Sequence, residues 1–346
     1  MNRCYVIAEA GVNHNGSLDM ALELVEVAAA SGADAIKFQT FRADKLVAKG
    51  TKTAEYQQRQ TGDLDQYAML KRLELSEEAH RVLFERCKAL DIEFMSTPFD
   101  EAAAAFLVEL GMEIIKVPSG ELTNLPFIRY LAAFDKQLIV STGMASLEEV
   151  RDAVDAIVSV RQELGLSADL QDKLVILHCT SNYPALDQDV NLSAMQTIEK
   201  ATGLPVGYSD HTEGALIAVA AVACGARVIE KHFTLDRSLP GPDHQASLEP
   251  KELTALLTDI RRIEDSMGNG LKEPRDSELP VRDLVRRSVT LVSDVTAGQI
   301  ISNEDICLKR PGTGIAPKYI QDVVGKRACR DLQAGSQPAG KDLADA

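Results

Sequence analysis

The sequence has no apolar run approaching the roughly 18 residues that a bilayer-spanning helix requires. The start, MNRCYVIAEAG, meets Glu9 after a few apolar residues and lacks a secretory pattern. There is no CxxC pair. The 6 cysteines, Cys4, Cys87, Cys179, Cys224, Cys307 and Cys329, are scattered, and four lie in apolar surroundings. They are read as reduced packing residues of a cytoplasmic protein. Basic charge is scarce as well: the formal net charge is −15, which argues against nucleic acid or an anionic membrane as the main partner. No GxGxxG follows the first strand-like run, and no Walker GxxxxGK[ST], HExxH or EF-hand pattern occurs, so nicotinamide and ATP chemistry are disfavoured.

What the sequence does contain is a unit repeated eight times: a short apolar run, a few polar residues, then a helical stretch. The runs are YVIAEAG (5–11), AIKFQT (35–40), EFMSTP (93–98), EIIKVPSG (113–120), QLIVSTG (137–143), LVILHCT (174–180), PVGYSDHT (205–212) and RVIEKHFT (227–234). They are β-rich and mostly end in Gly, Pro, Ser or Thr, as buried parallel strands do. Between them lie patterns such as LEEVRDAVDAIVSVRQELG, with acidic or Ser/Asp starts and Gly or Asp after the last apolar residue. Eight such units predict a closed (β/α)8 TIM barrel, an α/β fold that commonly takes about 250 residues; a doubly wound open sheet is the competing arrangement. The barrel is expected over residues 1–265, a linker over 266–281 and a small, mostly β domain over 282–346. That last segment carries 10 Lys/Arg against 8 Asp/Glu, net +2, leaving −17 for residues 1–281. The long polar stretch 41–73 is expected to cover the barrel mouth.

Catalytic residues of such barrels sit at the C-terminal ends of the strands. Residues two apart share a face of a strand, so Lys37 goes with Gln39, Ser209 with His211, and Glu230 with His232. Polar residues then converge from nearly every strand end: Glu9, Lys37, Gln39, Thr97, Lys116, Ser119, Glu121, Ser141, Tyr183, Ser209, His211 and His232. Singly, each has an ordinary role, a serine capping a helix or a histidine hydrogen-bonded in the core. Together they are harder to dismiss. Lys37 and Lys116 would each bury a charge without a partner, and a bound anion is the economical partner. Ser119 and Ser141 complete a phosphate or carboxylate cradle. His211 and His232 end adjacent strands and can share one divalent cation; a hydrogen-bonded imidazole pair is the alternative. The loop LDRSLPGPDHQASLEP (235–250) is stiffened by Pro240 and Pro242 and is expected to present Asp243 and His244 to a hydroxylated substrate.

AEAGVNHNGS, IKFQTF, STPFD, IIKVPSGE, STGM, GYSDHT, EKHFT, LPGPDH and KRPGTG occur in this order. Together they resemble the bacterial sialic acid synthases over nearly the whole chain, including a C-terminal antifreeze-like (SAF) domain. The resemblance implies N-acetylneuraminate synthesis: phosphoenolpyruvate condenses with open-chain N-acetylmannosamine, and phosphate leaves by C–O cleavage. It also implies that Lys37, Lys116, Ser119, Ser141 and Ser209, with Thr97, hold phosphoenolpyruvate. His211 and His232 would bind manganese, with magnesium or cobalt as alternatives, and Glu9 would be the acid/base. Gln39, Glu121, Tyr183 and Asp243 would contact the amino sugar, and Arg310 of the C-terminal domain would reach its N-acetyl group. A homodimer with swapped C-terminal domains is implied. Where several relatives have CTNxYP, this chain has CTSNYP, so their phosphate-contacting Asn falls on Ser181, with Asn182 next to it. The rival sugar is a 2,4-diacetamido-2,4,6-trideoxymannose, giving N,N'-diacetyllegionaminate. A non-catalytic carbohydrate-binding protein is the remote alternative.

Overall fold

A computed structural model describes residues 3–53, 58, 61–62 and 64–346. It divides into two compact units, Met1–Gly268 and Asn269–Ala346.

In the first unit, eight strands alternate with helices: β1 (Tyr5–Gly11), β2 (Ala35–Thr40), β3 (Glu93–Pro98), β4 (Ile114–Val117), β5 (Gln137–Ser141), β6 (Leu174–Cys179), β7 (Val206–Asp210) and β8 (Val228–His232). All ladders are parallel, in the order β3-β2-β1-β8-β7-β6-β5-β4. β3 and β4, at the ends of that order, pack side by side. The sheet is therefore a nearly closed (β/α)8 barrel, and the open doubly wound alternative is excluded. The helices begin and end where their caps dictate. Ser17 accepts the Met20 N–H at the start of Leu18–Ser31, Gly32 ends that helix in the left-handed region, and Ser146 with Glu149 forms a capping box on Leu147–Glu163.

Strand alternation sorts side chains into two cores. Outward-facing residues such as Val6, Ala8, Ile36, Phe38, Phe94, Ile115 and Ile229 pack under the helices. Inward-facing Ile7, Ala35, Met95, Ile139, Val175, Leu177 and Val228 fill the lower barrel. Two residues further along the same strands the interior turns polar: Ile7 is followed by Glu9, Ala35 by Lys37, Met95 by Thr97, Ile139 by Ser141 and Val228 by Glu230. That change of texture makes a site rather than a packed plug. From the stretch 41–73, the helix Gln66–Leu73 packs Met69 and Leu73 against Val12 and Phe41, with Phe99 beside them. It thus sits over residues just beyond the ends of β1, β2 and β3. Part of the stretch, 54–57, 59–60 and 63, lies outside the described residues.

The last helix of the first unit, Pro250–Met267, runs past the expected barrel end at 265. The segment expected to be a linker carries helical turns at Asp276–Glu278 and Leu279–Val285. The second unit pairs β9 (Ser288–Leu291) with β10 (Ile306–Lys309), and β11 (Arg327–Ala328) with β12 (Leu343–Ala344), both antiparallel. Its own small core includes Val289, Leu291, Val295, Ile301, Val323 and Leu332. Among the described residues no helix is long and apolar enough to cross a membrane, and all 6 cysteines are free thiols.

Candidate active site

A narrow cavity opens at the C-terminal ends of the strands. It is lined by Glu9, Lys37, Gln39 and Thr97 from β1–β3, and by Lys116, Ser119 and Ser141 from β4, β5 and the turn after β4. Tyr183, Ser209, His211, Glu230 and His232 close the ring. A larger depression of about 860 Å³ lies outside the barrel, around Arg42, Lys71 and Glu77. Two of its lysines already have carboxylate partners: Lys45 meets Asp100 at 3.1 Å and Lys71 meets Glu74 at 3.1 Å.

At the centre of the barrel cavity, four ionisable side chains meet out of water. Lys37 Nζ lies 2.7 Å from Glu9 Oε2 and 3.6 Å from Glu230 Oε2, and donates to Thr97 Oγ1 at 3.0 Å. Lys116 Nζ lies 3.4 Å from Glu230 Oε1, and Ser209 Oγ donates to that same oxygen at 2.8 Å. The lysines are therefore not unpaired, as the strand positions alone suggested. Their partners are carboxylates from β1 and β8, which parallel pairing brings alongside: Glu9 is in register with both Lys37 and His232. Glu230, left out of the sequence-based set, is the hub of this network. The signal for it was present, since it shares a strand face with His232.

The two carboxylates have opposite character. Burial pushes the Glu9 carboxyl up to about 7, with the charge of Glu230 adding to the effect and Lys37 opposing it. Burial works against Glu230 too, but Lys116, Lys37 and the Ser209 hydroxyl together outweigh it and hold this carboxyl well below the usual range. Two neighbouring carboxyls separated in this way suit a proton-transfer group and a permanent anion. Burial opposes the Lys37 charge, yet its two carboxylates raise its pKa overall. Lys116 is lowered, by burial first and then by Lys37, so its charge is the less well compensated.

The imidazoles stand next to this cluster, with ring centroids 5.7 Å apart. His211 Nδ1 pairs with the Thr180 carbonyl at 2.6 Å, which assigns the proton to Nδ1 and leaves Nε2 unprotonated, 3.4 Å from Ser209 Oγ. His232 Nδ1 is buried with no hydrogen-bond partner among the described residues. Burial lowers the His211 pKa to about 4 and the His232 pKa well below its ordinary value, so both rings are neutral near pH 7. Two neutral imidazoles, one with an orphaned buried nitrogen, are a donor set that fits a divalent cation with positions left for oxygen ligands. Tyr183 stacks on His211 at 4.1 Å and meets His232 edge-on at 5.7 Å.

Opposite the imidazoles, Ser119 Oγ and Ser181 Oγ meet at 3.2 Å, and Ser141 Oγ is buried with no partner among the described residues. Gly143, at φ 49°, makes room for them: a Cβ there would fall 2.5 Å from Ser181 Oγ. Asn182 turns its side-chain oxygen to the Tyr183 N–H at 3.2 Å, so of the two candidates Ser181 faces the cradle. Gly11, at φ 54°, follows a break in the β1 register; a Cβ there would press on Glu9 Oε1 at 3.2 Å.

The other expected residues lie further out. Glu121 is half-buried on the turn Ser119–Glu121 and accepts from Asn124 Nδ2 at 2.7 Å. Asp243 and His244, expected to be presented to a hydroxylated substrate, are both buried. His244 is held by Thr234 Oγ1 at 2.7 Å, while burial raises Asp243 to about 6 within the field of Lys37. Arg310 belongs to the second unit and is exposed.

Comparison with known proteins decides the family. A model of the NeuB family matches residues 24–272, and one of the SAF domain matches residues 286–342. The chain belongs to the NeuB family. Within it, the chain is 56% identical over 334 residues to the N,N'-diacetyllegionaminic acid synthase of Legionella pneumophila, covering 96% of this chain and 92% of that one. It is 45% identical to the enzyme of the same name from Campylobacter jejuni, over 96% of this chain and 98% of that one. Among solved structures, the N-acetylneuraminic acid synthetase of Leptospira borgpetersenii, in complex with citrate, superposes with a TM-score of 0.69 at 36% identity, covering 81% of this chain and 90% of the other. This NeuB-family chain is thus a nonulosonic acid synthase.

Proposed function

We propose that the protein condenses phosphoenolpyruvate with a 2,4-diacetamido-2,4,6-trideoxymannose to give N,N'-diacetyllegionaminic acid and phosphate. The geometry that carries the chemistry is the buried Glu9–Lys37–Glu230–Lys116 cluster beside two neutral imidazoles. The choice of sugar rests on the relatives at 56% and 45% identity, both named for the legionaminic product. N-acetylmannosamine, the first expectation from sequence, accordingly gives way to its alternative.

In this reading Lys116, with donors to spare, and Lys37 take the phosphate and carboxylate of phosphoenolpyruvate, helped by Ser119, Ser141, Ser181, Ser209 and Thr97. Glu230 keeps the two ammonium groups apart and oriented before substrate arrives, a preorganised electrostatic arrangement. Gln39, Glu121, Tyr183, Asp243 and Arg310 contact the sugar. His211 and His232 hold a divalent cation, manganese by preference, which when bound supplies Lewis-acid polarisation of the open-chain aldehyde. C3 of the enol phosphate bonds to C1 of the sugar, water adds at C2, and the C2–O bond to phosphate breaks. Glu9, with its pKa near neutrality, acts from its base form: it takes one proton from the attacking water and passes it to the former aldehyde oxygen, while the second proton of that water leaves with the phosphate as the C2 ketone forms. Free thiols throughout support a reducing, cytoplasmic setting. Exposed Leu271, Val281, Leu284 and Val285 on 271–285 support a homodimer.

The test is phosphate release by the purified protein with phosphoenolpyruvate, Mn2+ and each sugar in turn. The diacetamido sugar should give a kcat/KM at least about tenfold above N-acetylmannosamine, the discrimination one extra hydrogen-bonded group supplies. Preference for N-acetylmannosamine would return the chain to sialic acid synthesis. Silence with both would leave only binding.

A further inference from the structure

β7 and β8 carry a second pair of opposite charges, on the face turned away from the cavity. Asp210 and Lys231 meet at 2.8 Å with both side chains wholly buried, and their backbones are in register across the two strands. Lys231 Nζ also donates to the Thr212 carbonyl at 2.6 Å. Asp210 Oδ1 accepts the Thr212 N–H at 2.9 Å and its hydroxyl at 2.8 Å. Residues 210 and 212, which flank His211, are therefore both tied to Lys231, and Lys231 immediately precedes His232.

Fold stability does not call for ions here. Burying both charges costs desolvation, and apolar residues of similar volume commonly serve as well or better. What apolar side chains cannot supply is directional hydrogen bonding from Lys231, the neighbour of one imidazole, to the Asp210 side chain and the Thr212 backbone on either side of the other. The need is greatest for His232. His211 is oriented by its own bond to the Thr180 carbonyl, whereas Nδ1 of His232 has no such partner among the described residues.

We propose that the Asp210–Lys231 pair is a positioning element that holds His211 and His232 at the separation and tilt a shared divalent cation requires. This rests on the reading that those two imidazoles hold the cation. Partners one step behind metal-binding histidines typically affect metal affinity by about 10–100-fold, and here the partner acts through backbone carried on two strands at once.

The experiment is Mn2+ titration of the full-length protein, followed by electron paramagnetic resonance of the free ion, with thermal unfolding recorded in parallel. Four proteins are compared: wild type, His232→Ala, the double variant Asp210→Leu/Lys231→Met, and Thr212→Val. The double variant should fold, with an unfolding temperature lowered by the Thr212 backbone groups left unpaired, and bind Mn2+ about 10–100-fold more weakly. Thr212→Val, which keeps the ion pair and loses one of its hydrogen bonds, should bind about threefold more weakly. A folded double variant with wild-type Mn2+ affinity would overturn the proposal. If the double variant does not fold, unchanged affinity in Thr212→Val overturns it instead. Wild type that binds no better than His232→Ala would remove the metal reading itself, and this inference with it.

Discussion

Two buried clusters of charge share β7 and β8, one on each face. Inside the barrel, Glu230 faces Lys37 at 3.6 Å and Lys116 at 3.4 Å, distances at which attraction persists but hydrogen bonds are slack. Behind the same strands, Lys231, Asp210 and Thr212 close on one another at 2.6 to 2.9 Å. The outer cluster spends its donors and acceptors on backbone and on itself. The inner one keeps a buried carboxyl near neutrality, a cation whose charge burial disfavours, and orphaned atoms at Ser141 and His232. Saturated charge behaves as scaffold, and unsaturated charge is arranged for a substrate. Glu230 and Lys231 are chain neighbours, yet they belong to opposite kinds.

Experiments that set one cluster against the other sharpen this contrast. The largest effect is expected for His232→Ala, with metal-dependent phosphate release falling about 1,000-fold or more; full turnover in the presence of a chelator would remove the imidazoles from the mechanism. Next comes Lys231→Met alone, which strands Asp210 and should cost about 3–5 kcal/mol in denaturant unfolding. Lys116→Met should do the opposite. The charge of Lys116 is disfavoured by burial, so stability should hold within about 1 kcal/mol while the KM for phosphoenolpyruvate rises about 100-fold. Matching losses of stability in the two variants would erase the distinction between the clusters.

The pH dependence follows with its sign. The Glu9 carboxyl is raised from 4.5 to about 7, so its base form is lost as pH falls through 7. The acid limb of kcat/KM should bend there, dropping about tenfold per pH unit below, and Glu9→Gln should abolish that limb. A limb near 4.5 would mean that Glu9 is solvated in the working enzyme. The smallest effect is expected for Arg310→Ala, where sugar KM should rise about tenfold with the KM for phosphoenolpyruvate unchanged. An unaltered sugar KM would confine recognition to the first unit.

Much of the barrel was legible because periodicity is local. The runs at 5–11, 35–40 and 93–98 coincide with β1, β2 and β3. Alternation alone put Glu230 and His232 on one face and Lys231 on the other. The pairing of charges was not legible. Lys37 and Lys116 read as stranded cations because their partners come from strands distant in sequence, as Glu9 and Glu230 show. The burial of Asp243 and His244 was not legible either, because a proline-rich loop gives no sign of folding back.

The sequence by itself determined the alternation of strands and helices, the inward face of each strand and the chemical types gathered at the mouth. These follow from backbone geometry repeating every two or 3.6 residues. Only the tertiary structure decided which charge meets which, that Glu9 and Glu230 diverge, and that Asp210 and Lys231 lock behind the imidazoles. Those outcomes depend on register between strands and on exclusion of water, neither of which any single stretch of chain encodes.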